Sequence, residues 1–135
     1  MRERLKGLKR IVEVQRHLYN LEEIKYARLT SELNRLQTAQ EELRQAFSND
    51  EALQGLFIDV MVRRLKSLQQ DETKLKPLID AQARVMLEHG GRLRNSERLA
   101  EDLAVDVRRV GEKDELERLL EAAFAQELAS SEQDP

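Results

Sequence analysis

The stretch of sequence that decides the fold is LKGLKRIVEVQRHLYNLEEIKYARLTSELNRLQTAQEELRQAF, residues 5–47. Steps of alternately three and four residues from Leu5 reach thirteen positions, and ten of them are apolar or aromatic. This spacing is the heptad pattern of a helix that buries one face against another helix. The other three positions are the polar Gln15, Glu22 and Gln40. We therefore predict a first helix over about 2–47.

A second heptad pattern runs from Ile58 to Val110, and twelve of its sixteen positions are apolar. Its phase survives Pro77 and the glycine pair at 90–91. A proline inside a helix costs ~3 kcal/mol and usually kinks it. Because the phase is retained, we predict a kinked but continuous second helix over about 51–110.

One polar position of this second pattern is His89. A single polar residue in a coiled-coil seam fixes the alignment of the helices at some cost in stability. We therefore interpret His89 as a seam residue near Gln15 and Gln82, and not as a metal ligand or catalytic base.

The segment between the two patterns predicts the turn. Ser48 and Glu51 have the spacing of a capping box, in which a hydroxyl and a carboxylate satisfy backbone N–H groups at a helix start. A turn at 48–50 would pair positions whose numbers add to about 100, so that Leu29 would lie near residue 71. After Gly111 the phase changes, which predicts a short helix over about 113–129 and a disordered tail over 130–135.

These patterns predict an all-α fold: a long antiparallel two-helix coiled-coil hairpin with a short C-terminal helix, forming a single rod over 1–129. The composition agrees, since 36% of the residues are charged, 4% are aromatic and none is cysteine. No apolar run approaches the ~18–20 residues that span a bilayer. We expect a monomeric hairpin in the cytoplasm, peripheral at most to the inner membrane, with no transmembrane segment.

Charge is distributed unevenly along the chain. Residues 2–16 carry a net charge of +4, and residues 111–135 carry −6. The predicted pairing adds arginines of the second helix to the basic end, whose candidate partner-binding residues are Arg2, Arg4, Lys6, Lys9, Arg10, Arg92 and Arg94. This charge is either a solvated helix surface or a docking site for an acidic partner. Aromatic residues do not alternate with the basic ones, which disfavours binding to nucleic acid.

The sequence has no motif typical of an enzyme. It lacks a phosphate-binding glycine-rich loop, an H-E-x-x-H pair and a serine elbow. Its carboxylates recur four residues before a basic residue, as in Asp59/Arg63 and Glu88/Arg92, which is the spacing of ordinary helix surface pairs. We expect no enzymatic activity, no cofactor and no metal.

The start of the second helix is apolar on every side. Residues 56–58 and 60–62 are all apolar, which is more than one seam needs. They either cap the hairpin by packing against Ala46 and Phe47, or form an exposed docking patch. Phe57 and Met61 are the candidate binding residues in this patch.

Two segments resemble a known family. The opening LKGLKRIV of residues 5–12 and the FIDVM of residues 57–61 resemble FliJ, the stalk protein of the flagellar type III export apparatus, with a YscO-type injectisome counterpart. The resemblance implies a non-enzymatic stalk in protein transport for flagellum biogenesis and motility. Its basic end would enter the ring of the export ATPase, and Phe57 and Met61 would contact the export gate. The alternative is a generic coiled-coil adaptor or dimerisation module.

Overall fold

The computed structural model describes residues 1–49 and 51–132, and the side chains of all of these except 51–54 and 56. It contains two long helices, α1 over Arg2–Asn49 and α2 over Glu51–Glu132. The two helices pack against each other as a hairpin. The predicted all-α class and the two-helix hairpin are therefore confirmed.

Two compact units make up the chain. One is Gln15–Leu93, and the other combines Met1–Val14 with the chain from Arg94 onward. The core of the first unit contains buried residues from both helices: Leu36, Leu68, Leu75 and Ile79. The partly buried Tyr26, Leu29, Leu33, Ala39 and Leu43 of α1 pack against them. The buried residues all belong to the heptad seams, so the period of the sequence predicts which faces meet.

Pro77 lies inside α2. Proline removes one backbone hydrogen bond and costs a helix ~3 kcal/mol. Leu75 and Ile79, on either side of it, are both buried in the core, and their packing against α1 offsets this cost. The prediction that the second helix continues through Pro77 is confirmed.

The C-terminal region differs from the prediction of a separate short helix over about 113–129. α2 continues through Gly111 to Glu132, so these residues are the last part of one long helix. A glycine costs a helix only about 1 kcal/mol relative to alanine, and the change of phase there alters which face is apolar without ending the helix. Of the predicted tail, residues 130–132 are helical, and 133–135 lie outside the described residues.

The predicted turn at 48–50 and its capping box depend on residues that lie partly outside the described part of the chain. α1 ends at Asn49 and α2 begins at Glu51, while Asp50 and the Glu51 side chain lie outside the described residues. Ser48 is still helical, and its hydroxyl donates to the Gln45 carbonyl oxygen of its own helix at 3.1 Å.

The register between the helices also differs from the prediction. Gln40 bonds Glu72, although positions adding to about 100 would place it opposite residue 60. Gln82 bonds Glu22, which the prediction would place opposite residue 78. The prediction obtained the register by counting residues from a tight turn. The observed register is instead one in which covered polar side chains of the seam form hydrogen bonds with each other. Leu29, predicted to lie near residue 71, packs against the core cluster that contains Leu68 and Leu75.

A close approach between the helices occurs at Gly90. A Cβ atom built there would lie 3.3 Å from Cε2 of Tyr19, whereas a Cβ at Gly91 would meet nothing within 4 Å. The absence of a side chain at Gly90 lets the tyrosine ring lie against the α2 backbone. The glycine pair, across which the heptad phase continues, therefore contains one glycine with a packing role.

This pair of glycines provides a matched test. We expect Gly91→Ala to raise the free energy of unfolding by up to about 1 kcal/mol, because alanine is the better helix former. Gly90→Ala should gain less, or lose stability, because its methyl group has to displace the Tyr19 ring. Urea unfolding followed by circular dichroism measures both. Equal gains at the two positions would contradict the close contact.

Candidate partner-binding surfaces

A partly covered carboxylate, that of Glu72, links the two helices near the middle of the first unit. The Gln40 side-chain amide, only 3% exposed, donates to Oε2 of Glu72 at 2.6 Å. Gln37 donates to Oε1 of the same carboxylate at 3.2 Å, and Lys76 lies 3.4 Å from it. Both carboxylate oxygens are thus engaged by donors, and two of those donors come from α1.

A second carboxylate repeats this arrangement with the roles of the helices exchanged. Gln82 of α2 donates to Oε2 of Glu22 at 2.6 Å and to the Glu22 backbone oxygen at 3.1 Å. Lys25 lies 3.3 Å from Oε1. A side-chain amide in the seam of each helix therefore bonds a glutamate of the other helix.

These hydrogen bonds favour the charged form of both glutamates. The amide of Gln82 holds the pKa of Glu22 below its ordinary value, with smaller contributions from Lys25 and from the charge of His89. The amides of Gln40 and Gln37, followed by Lys76, lower the pKa of Glu72. Partial covering of each side chain opposes the shift without reversing it.

Gln15 and His89 are two further polar residues that the sequence predicts to lie in the seam. Oε1 of Gln15 and Nδ1 of His89 are both fully covered, and neither has a hydrogen-bond partner within the described part of the chain. His89 is close enough to Glu22 for its charge to act on that carboxylate. His89 is therefore a partly buried seam residue, as interpreted from the sequence. Among the described residues, no group of three or more His, Asp or Glu side chains could hold a metal ion.

The basic residues predicted to bind a partner are all exposed: Arg2, Arg4, Lys6, Lys9, Arg10, Arg92 and Arg94. They do not all belong together. Arg92 is part of the unit Gln15–Leu93, whereas the others belong to the second unit. The prediction that pairing brings Arg92 to the same end as Arg4 depended on the register corrected above.

Arg4 instead shares an apolar groove with two aspartates. We call this the terminal groove; its volume is about 570 Å³ and its lining residues are Arg4, Gly7, Leu8, Ile11, Leu99, Asp102, Leu103 and Asp106. Sequence reasoning missed the aspartates, because it placed residues near 95 opposite the start of α1. Matching the polar seam residues Gln40 to Glu72 and Glu22 to Gln82 would have moved the register in the correct direction.

Some apolar residues near the start of α2 pack against α1, and others are exposed. Met61 is partly buried and lines a groove of about 240 Å³ with Leu43, Arg44, Phe47, Val62 and Leu65. Phe57 is 49% exposed, and Ile58, Val60 and Val62 are exposed as well. Met61 thus contributes to the end of the hairpin, whereas Phe57 faces outward. We call Phe57, Ile58, Val60 and Val62 the tip patch.

Comparisons with known proteins do not identify a family. No protein-family model, curated protein or solved structure matches the chain. The resemblance to FliJ remains a prediction. In the part of the chain that the structure describes, neither helix has a stretch long and apolar enough to cross a membrane.

The carboxylate pairs predict an acid-sensitive hairpin. The pKa values of Glu22 and Glu72 lie below the ordinary value of 4.5 in the folded protein. Their stabilisation is therefore complete above pH 4.5 and is lost as the pH falls through the lowered values. We expect Glu22→Gln/Glu72→Gln to be less stable than the parent at pH 7. The double variant should also lose less stability than the parent when the pH is lowered from 5 to 3.

Urea unfolding at a series of pH values measures this effect. The matched control is Glu13→Gln/Glu23→Gln, which removes two exposed carboxylates and should leave the acid-induced loss close to that of the parent. If both double variants follow the same pH profile, the interhelix carboxylates do not produce the acid sensitivity.

Proposed function

We propose that the protein is a non-enzymatic stalk that couples an export ATPase to an export gate, in the flagellar type III apparatus or its injectisome counterpart. The observation that carries the proposal is the tip patch. Four apolar side chains near the start of α2 are exposed on different sides of the helix, although α1 ends close by at Asn49. A helix that is apolar all round is typical of a segment that a partner covers.

The same proposal includes the finer geometry of the hairpin. The heptad seams of residues 5–47 and 58–110 support packing as an antiparallel coiled coil, in which the side chains of one helix enter spaces on the other. Contacts within Gln15–Leu93 agree with this, because Gln40 bonds Glu72 while the earlier Glu22 bonds the later Gln82. Such a hairpin is suited to transmitting force or position between two partners.

The second partner surface in the proposal is the basic start of α1. Arg2, Arg4, Lys6, Lys9 and Arg10 are exposed within the first nine residues of the helix, and arginine bonds carboxylates with two N–H groups at once. This end would enter the ATPase ring, and the tip patch would contact the export gate. The stalk would need no cofactor and would act in the cytoplasm, peripheral at most to the inner membrane.

A generic coiled-coil adaptor is the second candidate function. The observation that favours it is an additional apolar stripe on α1, where Leu18, Leu21 and Ile24 are exposed. An adaptor could pair this stripe with another helix and would not need a ring-shaped partner. Binding of the chain to the purified export ATPase and to the cytoplasmic part of the export gate, both from the same organism, separates the two candidates.

The tip patch predicts the effect of Phe57→Ala. Truncating an aromatic side chain at the centre of an interface costs ~2 kcal/mol or more, so affinity for the gate should fall more than tenfold. Helicity should not change, because Phe57 is half exposed. Leu78→Ala removes an apolar side chain of similar exposure elsewhere on α2 and should bind as the parent does. Calorimetry with the purified gate fragment measures both variants.

A fall in melting temperature with unchanged affinity would show that Phe57 caps the hairpin, and would contradict its binding role. The comparison requires circular dichroism of each variant at the concentration used for binding.

The basic end predicts a salt-sensitive association with the ATPase. Each exposed charge pair contributes only ~0.2–1 kcal/mol, so we expect no single substitution to abolish binding. Reversing Arg4, Arg10 and Arg94 to Glu together should weaken binding about tenfold at low salt and less at high salt. The ATPase binding constant at a series of salt concentrations measures this effect.

The matched control reverses three exposed arginines of Gln15–Leu93: Arg28, Arg63 and Arg84. It changes the net charge equally and should retain most of the affinity. Equal weakening by both triple variants would mean that overall charge, and not a docking site, governs the association.

A further inference from the structure

The last part of α2 carries a stripe of exposed apolar side chains. Its large members are each more than half exposed: Leu116, Leu119, Leu120, Phe124 and Leu128. Steps of three, one, four and four residues place them on one side of the helix. We call this side the C-terminal stripe. An apolar helix face of this kind is stabilised when another surface covers it.

The terminal groove is a surface that fits such a face. Leu8, Ile11, Leu99 and Leu103 supply its apolar lining, and Ile11 and Leu99 are about half exposed. Gly7 also lines it, and a Cβ atom there would meet nothing within 4 Å, so the groove is open at that point. The groove and the C-terminal stripe belong to the same compact unit.

The stripe cannot reach the groove of its own molecule. Leu99 and Leu103 form one wall of the groove, and α2 continues from them as an unbroken helix to Glu132. At ~1.5 Å per residue, Phe124 lies about 30 Å beyond Leu103 along the helix. A C-terminal stripe that enters the groove would therefore belong to another molecule, because α2 is unbroken.

Charge favours a second copy of the chain whose stripe enters the groove. Residues 112–132 contain seven acidic and two basic residues, and residues 2–16 carry a net charge of +4. Two C-terminal stripes packed on each other would bring like charges together. A stripe packed in the terminal groove brings its carboxylates beside the basic start of α1, although Asp102 and Asp106 also line that groove.

We propose that two copies of the chain form a reciprocal dimer, in which the C-terminal stripe of each copy occupies the terminal groove of the other. A two-fold arrangement uses both grooves and both stripes and closes without forming filaments. This inference does not depend on the proposed stalk function. Because the dimer covers the basic start of α1, self-association and any docking of that end on another partner exclude each other.

Sedimentation equilibrium of the full chain over about 1–100 µM tests the proposal. We expect a reversible dimer whose dissociation constant rises about tenfold or more in Leu120→Ala/Phe124→Ala, because buried interface side chains dominate affinity. The matched control, Leu78→Ala/Leu87→Ala, removes two exposed apolar side chains outside both surfaces and should dimerise as the parent does. Circular dichroism checks that each variant remains helical.

Charge reversal distinguishes the reciprocal dimer from pairing of two C-terminal stripes. Glu117→Arg/Glu121→Arg and Arg4→Glu/Arg10→Glu should each weaken the dimer, and the chain that carries all four changes should recover affinity. The milder Glu117→Gln/Glu121→Gln serves if a reversal lowers helicity. A parent chain that stays monomeric throughout, or a dimer insensitive to Leu120 and Phe124, would overturn the proposal. A dimer sensitive to those residues but unaffected by Arg4→Glu/Arg10→Glu would also overturn it.

Discussion

The hydrogen bond between the covered Gln40 amide and the Glu72 carboxylate is the interaction on which the alignment of the hairpin depends. Gln40 is one of the most completely buried residues of the first unit, and its amide has a charged acceptor at 2.6 Å. A buried amide without a partner would be costly, so one relative position of the two helices is strongly preferred. Apolar heptads alone would allow several positions, because leucine packs almost equally well after a shift of seven residues.

The Gln82–Glu22 pair adds a second constraint to the first. The two pairs use opposite directions, since the amide belongs to α1 in one and to α2 in the other. A sliding movement of one helix along the other would break both pairs at once. The two pairs favour the same alignment of the helices within Gln15–Leu93, whose core has few fully buried side chains. The alignment of α1 on α2 also determines which residues of α2 are covered by α1. The residues that remain exposed are those available to a partner.

Much of the fold could be predicted from periodicity, and the failures have identifiable physical causes. The heptads of residues 5–47 and the retained phase across Pro77 predicted two long helices, because burial of one face is a property of the sequence period. Ser48, the predicted cap, lies in the last turn of α1 and bonds within its own helix, a competition that spacing alone does not resolve. The register failed because it was counted from the turn, while the partners Gln40, Glu72, Glu22 and Gln82 were already visible as polar seam positions. The sequence left open whether Phe57 packs or is exposed, because Ile58, a seam position beside it, is exposed too, and the identity of a partner requires chemistry outside the chain.

The contact of Tyr19 with Gly90 implies that the alignment is also encoded in shape. The ring lies so close to the backbone at position 90 that a Cβ atom there would come within 3.3 Å of it. A shift by one helical turn would place the ring against Met86 or Arg94, whose side chains would occupy the space that the ring needs. Size complementarity of this kind is insensitive to acid and to salt, unlike the carboxylate pairs. The contact between Tyr19 and Gly90 therefore continues to favour the correct alignment of the two helices at low pH, where the carboxylate pairs no longer do.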